Sequence, residues 1–149
     1  SQPDLLHNYP LVLTSAKSTH YCHSQHRALP SLRKKEPDPS LDIHPNTAET
    51  RKISDGDWIK ISSPQGQIFA RARFKKYLHE RVVSATAGWW QDCSELALPK
   101  LKGLNGLSAN FNVLIGNNLE DPISGSVSHR SYLCEVSPLT TAEREQSGL

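Results

Sequence analysis

The chain has 149 residues, a formal net charge of +2, 36% hydrophobic and 21% charged residues, with eight glycines and ten prolines. That is enough for one domain with its own core, and it is neither the composition of a disordered chain nor a charge balance that argues for nucleic acid or an acidic membrane as partner. No apolar run approaches the ~20 residues of a membrane-spanning helix, and the three cysteines, Cys22, Cys93 and Cys134, are too few and too far apart for a disulfide framework or a structural zinc ribbon.

Taken in order, residues 1–8 are polar and read as a frayed lead-in. Tyr9-Pro10 feeds a short apolar strand, Leu11 to Thr14, which breaks into the small and hydroxylated residues Ser15, Ala16, Ser18 and Thr19. Residues 15–25 read as loop with at most one helical turn, and Leu29 to Arg33 as a second loop that packs its two leucines. Pro37 and Pro39 exclude regular structure around Asp38. Leu41 to His44 alternates as a strand, and Pro45 to Glu49 opens a short helix with proline at its first position. Asp55-Gly56-Asp57 is a turn, Trp58–Ser62 a strand, Ser63–Gly66 a turn and Gln67–Phe74 a strand, together a β-hairpin. On the second strand Phe69, Arg71 and Arg73 share one face, while Ala70, Ala72 and Phe74 line the other as a tight inner wall. Val82–Thr86 is a further strand and Tyr132–Val136 the last. Asn110 to Ile115 is open between strand and helical turn, residues 94–106 are assigned no single state, Asp121–Gly125 is a turn, and residues from Thr140 on form a polar tail. Many short strands with long loops and little helix imply a small closed β-barrel.

The chemistry gathers after the first strand. His20, Cys22, His23 and His26 are all metal-ligand types, yet four of them crowd one loop and no second pair follows at zinc spacing. A nucleophilic site built on Cys22 with His20 or His23 has candidates but no signature. A third reading is a polar ligand held by the hydroxyls of Thr14, Ser15 and Ser18, by backbone N–H groups, and by the cations Lys17 and Arg27. Any one of these histidines is equally well explained as a backbone cap or a solvent-facing side chain.

Beyond these chemistries, several stretches form an ordered series. They are the strand and loop from Tyr9 to Arg27, the segment Ile43-His44-Pro45-Asn46-Thr47-Ala48 and the hairpin from Ile53 to Ala72. Val82-Val83 with Gly88-Trp89-Trp90 follows, then Asn112-Val113-Leu114, then Asp121-Pro122-Ile123-Ser124-Gly125 leading to His129-Arg130. In this series the chain resembles the C-terminal molybdopterin-dinucleotide-binding domain of the dimethyl sulfoxide reductase family of molybdenum and tungsten enzymes. Its details look closest to the thiosulfate/polysulfide reductase and acetylene hydratase side of that family.

The resemblance implies a mainly β fold, a six-stranded double-psi β-barrel with short helices and long loops. It implies that residues 1–149 are a single domain with an ordered core over about residues 9–137, a fragment of a larger catalytic polypeptide. The absence of methionine, even at position 1, is read in the same sense. It implies bis(molybdopterin guanine dinucleotide) as cofactor, carrying molybdenum or tungsten, in an anaerobic dehydrogenase or reductase. Contacts are expected from Thr14, Ser15, Ala16, Lys17, His20, His23, Asn112 and Arg130, with no catalytic residue and no metal ligand on this chain. Expected partners are the upstream domains of the same chain and an iron–sulfur electron-transfer subunit, without nucleic acid or membrane insertion; cytoplasm and periplasm stay equally open. The sequence departs from the family's pattern where Lys17 replaces a common arginine, and where Lys52 and Arg81 stand in place of glycine. The alternative is a stand-alone zinc-binding hydrolase using His20, Cys22 and His23.

Overall fold

The computed structural model describes residues 3–89, 93–97, 109–116, 120–127 and 130–147. Its strands are β1 (Leu11–Ala16), β2 (Ser40–Ile43), β3 (Trp58–Ser62), β4 (Gln67–Phe74), β5 (Val82–Thr86) and β6 (Arg130–Pro138). They close into one barrel in the order β1-β5-β2-β4-β3-β6. Two of the six pairings, β1 with β5 and β2 with β4, are parallel, and the other four are antiparallel. Parallel neighbours need crossover connections in place of tight hairpins, and a mainly β, closed barrel of six strands is the fold expected of the family.

Alternation along each strand explains why the barrel closes. Leu11 and Leu13 of β1, Leu41 and Ile43 of β2, and Ile59 and Ile61 of β3 point inward. So do Ala70 and Ala72 of β4, Val83 and Ala85 of β5, and Cys134 and Val136 of β6. The small residues of β4 let the opposite walls approach, as the hairpin pattern predicts. The outward residues Trp58 and Phe69 join Tyr21, Trp89, Ala109 and Leu139 in a second apolar cluster on the outside of the barrel.

Several helices frame these strands: α1 (Pro3–Asn8), α2 (Pro30–Arg33), α3 (Pro45–Glu49) and α4 (Thr141–Ser147), with 3-10 turns at Ser94–Leu96 and Phe111–Leu114. Residues 3–8 are thus helical, not frayed. The C-terminal stretch is helical because Thr140 and Glu143 cap each other: the Glu143 N–H donates to Thr140 Oγ1 (3.2 Å) and the Thr140 N–H to Glu143 Oε2 (2.9 Å). Of the two leucines expected to pack in the segment Leu29–Arg33, Leu32 does, against the outer apolar cluster, and the other does not. Leu29 is exposed, and the side chains fully buried in this region are Arg27 and Arg33. Trp90, His129 and most of residues 94–106 lie outside the described residues, and so do the readings that fall on them.

The two departures from glycine concern backbone geometry. Lys52 adopts a left-handed φ of 56°. Its N–H bonds to Glu49 O (3.0 Å) and the Ile53 N–H to Ala48 O (3.0 Å), the pair of bonds that ends a helix in a Schellman motif. A side chain at that position costs roughly 1–2 kcal/mol. Arg81 has no such strain, and its carbonyl accepts from the Val12 N–H (2.7 Å), starting the β1–β5 pairing.

Two outcomes are expected. Lys52→Gly raises unfolding stability by about 0.5–1 kcal/mol in urea denaturation, the relief of strain exceeding the added freedom of the unfolded chain. Second, burial pushes the Cys134 thiol up to about 12 from 9.0. Above pH 9 the unfolded chain gives up that proton while the folded chain keeps it, so stability falls as pH rises. The Cys134 contribution between pH 9 and 10 is a loss of about 1 kcal/mol, which Cys134→Val abolishes.

Candidate functional site

Parallel pairing places the carboxyl ends of β1 and β5 side by side, with Ala16 opposite Thr86. The antiparallel β6 begins at the same end, where Thr14 faces Arg130. Between Leu13 and Thr14 the register slips, and the residue that has no partner is Ser131, at φ 70°. A bulge of this kind at a barrel rim re-aims the neighbouring side chain. Here that neighbour is Arg130, which turns into a cleft.

The cleft measures about 390 Å³ and is lined by Ser15, Ala16 and Lys17 from β1 and its exit, His23 and Ser24 from the following loop, Ala87 and Gly88 after β5, Asn110 and Asn112, and Arg130. Among the described residues its lining holds two basic side chains, Lys17 and Arg130, and no carboxylate, together with hydroxyls, amides and an imidazole. Such a donor-rich, positively charged set suits a ligand with phosphate and heterocyclic acceptors.

Asn112 is delivered by a well-anchored turn. Phe111 and Leu114 sink into the barrel core, and Asn110 Oδ1 accepts from the Asn112 N–H (3.1 Å). Ser63 Oγ donates to Leu114 O (3.0 Å) from the β3–β4 turn. Gly66 of that turn is so close that a Cβ there would sit 2.6 Å from Val113 Cγ1. The hairpin read most clearly in the sequence therefore supports the asparagine from below.

Six of the eight residues expected to contact the cofactor line this one cleft: Ser15, Ala16, Lys17, His23, Asn112 and Arg130. Two do not. Thr14 pairs with Arg130 through the strand ladder without lining the cleft. His20 has its Nδ1 3.4 Å from Glu36 Oε2, a carboxylate that also accepts from Ser18 Oγ. The imidazole thus sits beside a carboxylate at the loop's outer edge. Arg27, also read as a ligand cation, is buried behind the cleft instead. Ser24, Ala87, Gly88 and Asn110 were not anticipated. Gly88 carried the one available signal, standing in a motif whose glycine is explained by its φ of 86° and by a Cβ position only 2.7 Å from His23 O.

The metal alternative finds no footing in this loop. Among the described residues, which include His20, Cys22, His23 and His26, no group of three or more His, Cys, Asp or Glu side chains is arranged to hold an ion. His23 and His26 both adopt left-handed backbone, at φ 53° and 68°.

The comparisons with known proteins agree with this geometry. A family model described as Molydopterin dinucleotide binding domain matches residues 11–133. Dopamine dehydroxylase of Eggerthella lenta is 32% identical over 136 residues, covering 89% of this chain and 13% of that protein. A putative dimethyl sulfoxide reductase catalytic chain of Halobacterium salinarum is 34% identical over 82 residues, covering 55% of this chain and 10% of that protein. The structure of acetylene hydratase from Pelobacter acetylenicus matches with a TM-score of 0.79 at 22% identity, over 93% of this chain and 20% of that one, which shows a shared fold. The chain spans about an eighth of the length of the first of these relatives. With the closed barrel and the cation-lined cleft at its rim, the chain belongs to the molybdopterin-dinucleotide-binding domains of the dimethyl sulfoxide reductase family, whose cofactor is the molybdopterin guanine dinucleotide.

Proposed function

We propose that this chain is the cap domain of a larger molybdenum or tungsten oxidoreductase and that the cleft at the carboxyl ends of β1 and β5 holds part of its dinucleotide cofactor. The observation that carries the reading is convergence. Residues separated by about a hundred positions, Ser15 to His23 on one side and Asn112 and Arg130 on the other, line a single donor-rich cleft. The volume of about 390 Å³ lies near the lower end of the roughly 300–1,000 Å³ typical of ligand sites. That suits one end of a dinucleotide, with the remainder held by other parts of the catalytic chain.

Within the cleft each group has a task set by its chemistry. Lys17 and Arg130 neutralise phosphate charge, Lys17 as a point charge and Arg130 as a planar fork. The Asn112 amide both donates and accepts, as recognition of a heterocycle edge requires. Ser15 and Ser24 supply short hydroxyl donors, and the open backbone of Ala16 and Gly88 admits the ligand closely. When bound, the cofactor supplies the redox-active metal through its own dithiolenes, so the domain needs no metal ligand of its own. The larger relatives support a reading in which upstream domains of the same chain complete the site and determine the substrate. A separate iron–sulfur protein that exchanges electrons with the site belongs to the same proposal.

The test is cofactor content in the full-length protein that carries this chain. Guanine nucleotide released by acid, together with pterin fluorescence, is expected in a fixed ratio to protein. Loss of one charge-assisted contact of roughly 1.5–3 kcal/mol in Arg130→Ala weakens retention about ten- to a hundredfold, and loss of a neutral amide contact of roughly 0.5–1.5 kcal/mol in Asn112→Ala weakens it about two- to tenfold. Undiminished content in both variants would exclude this cleft as the dinucleotide site.

A further inference from the structure

Behind the cleft lies a layer of buried cations that the dinucleotide reading does not use. Arg27 is 1% exposed and Arg33 likewise, an uncommon state for arginine. The Arg27 guanidinium carbon sits 4.3 Å from the Tyr21 ring centroid and 4.2 Å from that of Trp89. These two rings meet edge to face at 5.6 Å. Arg33 lies 4.9 Å from the same Trp89 ring and donates from Nη1 to Arg27 O (3.1 Å) and from Nε to Pro37 O (2.8 Å). Burial lowers the Arg27 pKa to about 10, with Glu36 opposing the shift, so the group stays charged at neutral pH.

What the buried guanidinium holds is specific. Nε and Nη2 both donate to the His23 carbonyl, at 3.2 and 2.9 Å, and Nη2 also donates to the Ala87 carbonyl at 2.6 Å. His23 and Ala87 are lining residues of the cleft, and they stand on its two different walls, the exit of β1 and the exit of β5. The walls touch backbone to backbone there, since a Cβ on Gly88 would lie 2.7 Å from His23 O and 3.1 Å from Ser24 Cα. Filling the aromatic cluster alone needs no charge, and an apolar side chain of similar size would do it at lower desolvation cost. A planar fork with several donors is what two carbonyls from separate connections require, and a lysine cannot reproduce it.

We propose that Arg27 is a positioning residue for the dinucleotide. Without touching the ligand, it fixes the His23 and Ala87 carbonyls from behind and so sets the width of the cleft. This rests on the assignment of the cleft to the cofactor. It also accounts for Gly88, which permits the close approach that Arg27 locks.

The experiment compares Arg27→Lys, Gly88→Ala and Asn112→Ala in the full-length protein that carries this chain. Amide hydrogen exchange is read on the cofactor-free form, and bound guanine nucleotide on the loaded form. Arg27→Lys is expected to speed exchange in residues 22–25 and 86–89 roughly tenfold, to leave β3 and β4 unchanged, and to lower retention by a similar factor, the loss of one to two charge-assisted bonds. Unchanged exchange in the two loops overturns the proposal. So does a loss of protection spread evenly over β3 and β4, which marks a purely structural role. Faster loop exchange with full retention also overturns it, and Asn112→Ala then separates the causes. If Asn112→Ala loses cofactor, only the role of Arg27 falls, whereas if it too keeps cofactor, the cleft assignment falls. Should Arg27→Lys not accumulate as folded protein, Gly88→Ala forces apart the same two walls, and the same loop exchange and retention decide the matter.

Discussion

The parallel pairing of β1 with β5 is the constraint on which the site depends. In an antiparallel barrel neighbouring strands exit at opposite ends, and their loops are separated by the length of the barrel. Here Val12 pairs with Val82 and Ala16 with Thr86 in one direction, so two chain exits open at the same rim. The antiparallel β6 starts at that rim as well, and the bulge at Ser131 re-aims its first residue, Arg130. A core of inward aliphatic residues, Leu13, Val83 and Leu41 among them, makes the register hard to shift, because a slip of one residue would turn every apolar side chain outward.

A second layer converts that topology into a defined cleft. Loops are normally mobile because their backbone groups face water. At this rim the carbonyls of His23, Ala87 and Arg27 are held instead by buried guanidiniums, themselves placed by Tyr21 and Trp89. Trp89 is fixed in turn by a hydrogen bond from its Nε1 to Thr86 Oγ1 (3.0 Å), the hydroxyl that also receives the Ser40 N–H (3.0 Å). Barrel strand, aromatic ring, arginine and loop carbonyl form one continuous chain of contacts. Burying two arginines is costly in isolation. The cost is offset by several carbonyl acceptors and by stacking on aromatic rings, worth up to roughly 2 kcal/mol for a desolvated cation.

Much of this is legible in the sequence where local pattern and tertiary role coincide. Trp58–Ser62, Gln67–Phe74 and Val82–Thr86 have the bounds that alternation and turn residues give them, since each strand has one face in the barrel core. The apolar pattern ends β1 two residues short, because Ser15 and Ala16 pair through their backbone and carry no apolar signal. Leu32 packs against the outer apolar cluster as its type suggests, but Leu29 misleads for a different reason. Hydrophobicity ranks Leu29 above Arg33 for burial, but the partners that make a buried arginine tolerable, Pro37 O and Trp89, are visible only in three dimensions. His20 is a candidate by residue type alone, and its actual neighbour Glu36 lies sixteen positions away. Ala87 lines the cleft and accepts from Arg27 through its backbone carbonyl, which no side-chain motif announces.

The most direct measurement is an experimental structure of the full-length, cofactor-loaded protein, at a resolution that places the dinucleotide. The geometry predicts a dinucleotide lying against Ser15–Lys17 and Asn112, with Arg130 on its polar side and Arg27 behind the wall, out of contact. A dinucleotide bound with no contact to the exits of β1 and β5 would contradict the assignment of this cleft.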